Sequence, residues 1–114
     1  MDERTRKVGA NEALFRTVNE EIEDLNRGVA EISDQRLHIT CECGDLLCAA
    51  PLPVPIEDYE RIRSDSALFF IQPGHEIRDV EKVVQRTPDY AVVRKNAGDP
   101  QRVAEATDPR ESST

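Results

Sequence analysis

The 114-residue chain contains no tryptophan, and aromatic residues of any kind make up only 4% of it. Apolar residues reach 38%, whereas 33% of the residues are charged. A chain of this length forms one small domain, and this composition provides few apolar side chains for its core. We therefore expect a small core that needs an additional stabilising cross-link, here called a staple.

Long hydrophobic runs are also missing. No stretch approaches the roughly 18 consecutive apolar residues that a membrane-spanning helix requires. The first fifteen residues, MDERTRKVGANEALF, contain no apolar segment of the kind that a secretory signal carries. We therefore expect a cytosolic protein without a membrane partner. In the cytosol, clustered cysteines indicate a metal or redox site rather than a disulfide framework.

Basic residues are in the minority, with 15 Lys and Arg against 23 Asp and Glu, so the net charge is −8. Binding to nucleic-acid phosphates requires a basic patch, and the basic residues of this chain are scattered in pairs such as Arg61 and Arg63. We expect no nucleic-acid partner. A partner with a basic or apolar surface fits the charge balance better.

The N-terminal third predicts a long amphipathic helix over residues 12–33, preceded by a flexible arm at 1–10. Asn11 is a good N-cap for this helix, and Glu12 suits the positive end of its dipole. Apolar residues recur at alternating steps of three and four, and Leu14 widens the stripe. The stripe consists of Phe15, Val18, Ile22, Leu25, Val29 and Ile32.

Two interpretations of this stripe stay open. The helix packs on its own small domain, or it forms a parallel coiled-coil dimer with Phe15, Ile22 and Val29 at the a positions. Gly28 in the helix interior and the lack of complementary flanking charges weaken the coiled-coil interpretation. Residues 11–35 carry −5 of the net −8. The predicted partner surface is therefore this helix, binding either a basic or apolar protein or a second copy through residues 12–33.

The rest of the chain predicts short elements within a single domain spanning residues 11–95. Residues 79–86 fit either helix or strand, and residues 96–114 are polar enough to predict a disordered tail. The predicted fold class is therefore α+β, with the long helix, a small β-rich knuckle and one short helix. The further elements are strands at 37–41, 68–71 and 90–95, an edge strand at most around 52–54, and a helix at 56–63.

Three cysteines within eight residues form the most specific motif of the sequence. Cys41, Cys43 and Cys48 flank Gly44, which lets the backbone curl around the sulfur atoms. Thiolates are soft ligands, and zinc takes four ligands in a tetrahedron. The alternatives are a thiol redox role and inert packing of small buried cysteines. The spacing favours a metal.

The fourth ligand has to come from elsewhere in the chain. His75 follows the turn at Pro73-Gly74 and can face the cysteine segment. His38 lies three residues before Cys41, so on a strand its side chain points to the opposite face. We favour His75 over His38, with Glu42 or Asp45 as further alternatives.

Together these segments resemble a group of short, uncharacterised bacterial proteins. The similarity covers residues 11–95 and is carried by Asn11-Glu12-Ala13-Leu14-Phe15-Arg16, Cys41-Glu42-Cys43-Gly44-Asp45 with Cys48, Tyr59-Glu60-x-Ile62-Arg63 and Pro73-Gly74-His75-Glu76. The resemblance implies that Cys41, Cys43, Cys48 and His75 belong together. It implies no activity.

A structural zinc site fits this pattern best, because three thiolates and a histidine leave no position for a catalytic water. We therefore predict a small zinc-binding adaptor or regulatory protein. A zinc–thiolate redox sensor is the second hypothesis. A small metal-dependent enzyme, which would need an open site, is the third.

Overall fold

A computed structural model of the chain describes residues 3–33, 36–45, 48 and 51–110, and within the first helix the side chains of residues 6–25. The elements are α1 (Glu3–Ser33), β1 (Leu37–Thr40), β2 (Pro51–Val54), α2 (Ile56–Arg63), β3 (Leu68–Ile71), β4 (Glu81–Arg86), β5 (Ala91–Lys95) and α3 (Asp99–Ala106). This is the mixed helix-and-sheet class that the sequence predicts.

Helix α1 begins much earlier than predicted. It starts at Glu3, so the flexible arm expected over residues 1–10 is wrong from residue 3 onward. Its 31 residues correspond to a length of about 46 Å. Residues without an apolar pattern join the helix because Val8 and Gly9 pack against other parts of the fold, near Gly44 and Val103.

The face of α1 that the fold buries is polar, which corrects the predicted amphipathic helix. Four polar residues spaced at steps of four, three and four are buried: Glu12, Arg16, Asn19 and Glu23. Phe15 and Ile22 of the predicted stripe are half-buried, and Ile22 packs against the core. Leu14, Val18 and Leu25 are exposed. The side chains of Val29 and Ile32 lie outside the described residues.

Two small antiparallel sheets form the rest of the framework. β1 pairs with β2, with Leu37 opposite Val54 and Thr40 opposite Pro51. The second sheet has the order β3-β5-β4. Residues 79–86, for which the pattern left helix and strand open, supply β4, and a register shift after Val83 bulges Val84 outward. Among the described residues β2 pairs with β1 alone, as expected of an edge strand that contains prolines.

The aromatic residues lie at the centre of the core despite their small number. The rings of Tyr59 and Phe70 stack with centroids 5.6 Å apart, and Tyr90 meets Phe70 edge-on at 5.4 Å. All three residues are at most 3% exposed. Phe70 therefore joins α2 to the second sheet, directly beneath the cysteine segment described below.

The predicted disordered tail is wrong for residues 99–110. Helix α3 follows Gly98, and both Ala104 and Asp108 are buried. Asp108 accepts a hydrogen bond from Arg63 at 2.6 Å and another from the Ser66 hydroxyl at 2.6 Å. Ionic and backbone contacts anchor this segment, so it is ordered although it has few apolar residues. Residues 111–114 lie outside the described residues.

Candidate metal centre

The cysteine segment is the connection between β1 and β2. Cys41 directly follows β1, and the antiparallel pairing returns the chain at Pro51. Glu42 donates its backbone N–H to the Phe70 carbonyl at 2.8 Å. The segment is therefore held against the C-terminal end of β3, where the chain enters the loop to β4.

His75 reaches the cysteines from the loop after β3. Its backbone N–H donates to the Gln72 carbonyl at 3.0 Å, which closes a turn through Gly74. Gly74 has a φ of 94°, a conformation that glycine adopts without strain. The Gln72 N–H donates to Cys41 Sγ at 3.1 Å. The β3–β4 loop thus supplies both a ring nitrogen and an amide to the sulfur cluster.

The four predicted donor atoms lie together. Nδ1 of His75 is 3.7 Å from Cys41 Sγ and 3.6 Å from Cys48 Sγ. All four donor atoms, including Cys43 Sγ, lie within 4.8 Å of one another. Zinc–sulfur bonds of about 2.3 Å and a zinc–nitrogen bond of about 2.0 Å in a tetrahedron place sulfur and nitrogen about 3.5 Å apart. The two sulfur–nitrogen distances match such a site, and the cluster is compatible with a bound metal ion.

Burial keeps the thiols of Cys41 and Cys43 protonated when no cation neutralises them. Desolvation raises the pKa of Cys41 well above its ordinary value, although the Gln72 N–H opposes the shift. Burial likewise raises the pKa of Cys43, against a hydrogen bond from the backbone of Asp45. A protonated thiol is a poor nucleophile. A metal ion that displaces the protons matches this buried position better than a reactive thiol does.

The other candidate ligands lie apart from this cluster. The side chain of His38 is exposed on β1, on the face opposite Ile39, as strand alternation predicts. The cluster found among the described residues includes neither Glu42 nor Asp45. Glu42 is fully buried and Asp45 is exposed. Of the fourth-ligand alternatives that the sequence left open, the structure brings His75 to the cysteines.

Glu42 has a different role, which the sequence did not reveal. Its carboxylate accepts hydrogen bonds from the Phe70 N–H at 2.9 Å and from the Asn19 amide at 2.8 Å. Desolvation raises its pKa, while the Asn19 hydrogen bond and the charge of Arg63 oppose that shift. The carboxylate therefore fixes the residue between two cysteines to both α1 and β3.

Two asparagines of α1 hold the cysteine segment from the other side. Asn19 accepts the Thr40 N–H at 2.8 Å and donates to the Thr40 carbonyl at 2.8 Å. Asn11 donates to the Gly44 carbonyl at 2.9 Å. Asn11, predicted as an N-cap, thus lies inside the helix and bonds to the cysteine segment instead. The sequence gives only a weak signal for these two roles, because Asn11 and Asn19 are simply polar residues spaced eight apart on the helix.

Gly44 is required by close packing as well as by its backbone conformation. Its φ is 84°, and a Cβ at this position would lie 2.8 Å from the Val8 side chain and 3.1 Å from the Val8 carbonyl. The side chain of Glu12 is also 3.1 Å away. The cysteine segment therefore touches the first turns of α1 with no room for a larger residue.

A buried ion cluster connects the same helix to the second sheet. Lys95 Nζ lies 2.6 Å from a carboxylate oxygen of Glu12 and 2.6 Å from one of Glu81. Burial raises the pKa of Glu12 to about 7, although the ammonium of Lys95 opposes the shift. Each of these residues is at most 5% exposed. The polar face of α1 is therefore matched by charged groups beneath it.

Arg16 continues the buried polar face of α1. Its guanidinium donates to the carbonyls of Ser66 at 2.8 Å and Ala104 at 2.6 Å, and it lies 4.1 Å from the ring centroid of Phe69. These contacts join α1 to α3 and to the turn before β3. They also explain why an arginine with 0% exposure is tolerated in a thin core.

Comparisons with family models, with curated proteins and with solved structures find no match to this chain. The resemblance noted above therefore stays a prediction. Among the described residues, no helix combines the length and the apolar character that crossing a membrane demands.

Proposed function

We propose that this protein is a small zinc-binding adaptor or regulatory module, in which a structural Cys3His site positions an interaction helix. One observation carries the proposal: donor atoms from two separate loops, Cys41, Cys43 and Cys48 on one and His75 on the other, lie within 4.8 Å of one another. Zinc is the metal that a three-thiolate, one-imidazole donor set favours.

The donor set supports a structural rather than a catalytic site. Three thiolates and an imidazole complete a tetrahedral shell, which leaves no position for water or substrate. Thiolate charge also reduces the Lewis acidity of the ion. The metal would join the β1–β2 connection to the β3–β4 loop, two segments that belong to different sheets. It would therefore supply the staple that the aromatic-poor core requires.

The site is also coupled to α1 through short contacts. Asn19 bonds to Thr40 and to Glu42, and Asn11 bonds to Gly44. A metal that orders the cysteine segment thereby orders the surface on which α1 lies. The opposite side of the helix exposes Leu14, Val18 and Leu25, which supports a role in binding another protein.

Native mass spectrometry with matched histidine variants tests the metal proposal. We expect wild-type protein purified without chelators to retain a single zinc ion, and the His38→Ala variant to do the same because His38 is exposed and is not part of the cluster. The His75→Ala variant should lose the ion under the same conditions. Equal zinc content in the two variants would contradict the assignment of His75.

Cobalt substitution tests whether the shell is closed. Tetrahedral coordination by thiolates gives cobalt(II) intense visible absorption together with sulfur-to-metal charge-transfer bands. We expect this spectrum for the wild type and for His38→Ala. A five- or six-coordinate spectrum with weak visible bands would contradict a structural site and would favour an open, catalytic one.

A further inference from the structure

The outward face of α1 combines exposed apolar side chains with a separation of charge. Leu14, Val18 and Leu25 are 53%, 37% and 83% exposed. Their spacings of four and seven place them along one line of the helix. Leu14 and Val18 are neighbours on the helix surface, and Leu25 lies about 10 Å further along the same line.

Charged residues flank this apolar line in a definite order. Exposed Arg6 and Lys7 precede it, and exposed Glu21 and Asp24 lie towards its C-terminal end. Lys7, Leu14 and Glu21 are spaced by seven residues, so they share the line, about 10 Å apart along the axis. Within the described part of the chain, none of these four charged residues forms an ion pair.

We propose that a second copy of this chain docks on this face, with the two α1 helices antiparallel and a two-fold axis near Leu14. This inference rests on the proposed role of α1 as the interaction helix, and it does not depend on which metal fills the site. In such a pair, residues equally far from the axis face each other. Lys7 of one copy then meets Glu21 of the other. Arg6, eight residues from the axis, lies about 3 Å along the helix from the level of Asp24, which is ten residues from it.

The charge order selects the antiparallel arrangement. A parallel pair would place Lys7 opposite Lys7 and Glu21 opposite Glu21, and like charges at such positions are destabilising. The predicted parallel coiled coil also requires Phe15 and Ile22 at its centre. These residues are half-buried, and Ile22 packs against the core of its own domain.

The same charges disfavour a generally basic partner, because Arg6 and Lys7 would repel it at one end of the face. The net charge of −8 opposes self-association at long range, but at physiological ionic strength that repulsion is screened over about 8 Å. The contact face itself carries two basic and two acidic exposed residues. Three apolar side chains per copy cover less than the roughly 800 Å² per partner of a standard interface, so we expect weak association, in the micromolar to sub-millimolar range.

Sedimentation equilibrium of the zinc-loaded full chain, at concentrations up to about 1 mM, measures this association. We expect a monomer–dimer equilibrium. Leu14→Ser, at the two-fold axis, should weaken it at least tenfold, whereas Val84→Ser, at an equally exposed valine on β4 (53% for both residues), should leave it unchanged. A wild-type monomer at all concentrations would overturn the proposal, and so would equal effects of the two substitutions.

Charge reversal tests the orientation. Lys7→Glu alone and Glu21→Lys alone should each weaken the dimer, and the double variant should restore it to within a few-fold of wild type. A parallel dimer predicts no loss in either single variant. Failure of the double variant to recover would also contradict the Lys7–Glu21 contact.

Zinc content and far-UV circular dichroism of each variant separate the two proposals. A monomer with full zinc content contradicts only the dimer, while a variant series without zinc contradicts the metal site.

Discussion

Glu42 and Phe70 exchange two hydrogen bonds, one through the Glu42 backbone N–H at 2.8 Å and one through its carboxylate at 2.9 Å. The carboxylate thus accepts a β3 amide on the side where, among the described residues, no strand pairs with β3. Because Glu42 lies between two of the clustered cysteines, this contact sets the position of both sulfur atoms relative to β3. The buried acid therefore positions the cysteine segment that carries the candidate metal ligands.

Replacing Glu42 by alanine should destabilise the fold and weaken metal binding together. The substitution leaves the buried Phe70 N–H without its side-chain acceptor and removes one of the two hydrogen bonds that the Asn19 amide donates, at a cost of about 3 kcal/mol in the free energy of unfolding. Urea denaturation and a competitive zinc chelator measure the two effects. Glu57→Ala, at an exposed position on α2, is the matched control and should change neither. Unaltered zinc affinity in Glu42→Ala would contradict the positioning role.

Metal removal should lower the melting temperature by more than about 10 °C, because a staple worth at least about 3 kcal/mol acts on a domain of this size. Circular dichroism with and without a strong chelator, followed by return of zinc, measures the effect. Cys48→Ser should melt at the chelated temperature and respond little to chelator. If wild-type melting is unchanged by complete metal removal, the structural role of the site is wrong.

Glu12 should make stability decline as the pH rises through the neutral range. Burial raises the pKa of Glu12 to about 7 in the folded state, from an ordinary value of 4.5. The folded protein therefore binds this proton more tightly than the unfolded chain does. The stabilisation is fully present below pH 4.5 and is lost as the pH passes 7, by on the order of 3 kcal/mol.

Glu12→Gln should remove this dependence, because glutamine does not ionise and Lys95 keeps its contact with Glu81. We expect the wild type to lose more stability than the variant between pH 5 and pH 8, measured by urea denaturation of zinc-saturated samples. Comparing both proteins at each pH cancels the pH dependence of metal binding. Parallel curves would show that Glu12 titrates normally.

Asp108 anchors the segment after α3. Burial acts to raise its pKa, but hydrogen bonds from Arg63 and Ser66 prevail and lower the pKa to about 2. Its contribution to stability is therefore present above the ordinary pKa of 3.8 and is lost as the pH falls towards 2. Asp108→Asn should cost about 3 kcal/mol at neutral pH, because it leaves buried Arg63 without its closest carboxylate.

Asp99→Asn provides the control for this prediction, since the ion pair of Asp99 with Arg102 is exposed and such pairs contribute little to stability. Limited proteolysis gives a second readout: the Asp108 variant should be cleaved faster around α3 than wild type or Asp99→Asn. Equal cleavage of the two variants would contradict the anchoring role.

Local patterns in the sequence were sufficient for most of the secondary structure. Proline at position 55 and the apolar spacing after it predicted α2 at its observed bounds, and the alternation of Leu37 and Ile39 predicted β1. These signals are local because backbone conformation and side-chain alternation depend on neighbouring residues. The grouping of Cys41, Cys43 and Cys48 with His75 was likewise predicted, because few residue types bind zinc and only two histidines were available.

Only the tertiary structure decided which face of α1 is buried. Apolar periodicity pointed to the side with Leu14 and Leu25, yet the fold buries Glu12, Arg16 and Asn19, since each finds its partner in a distant segment: Lys95, the Ala104 carbonyl, and Thr40. Their partners lie 21 to 88 residues away in the chain. The same long-range pairing orders α3, which composition alone marked as disordered. A polar side chain is buried only where the fold supplies its hydrogen-bond partners. A local sequence pattern does not identify those partners, because they lie in distant segments.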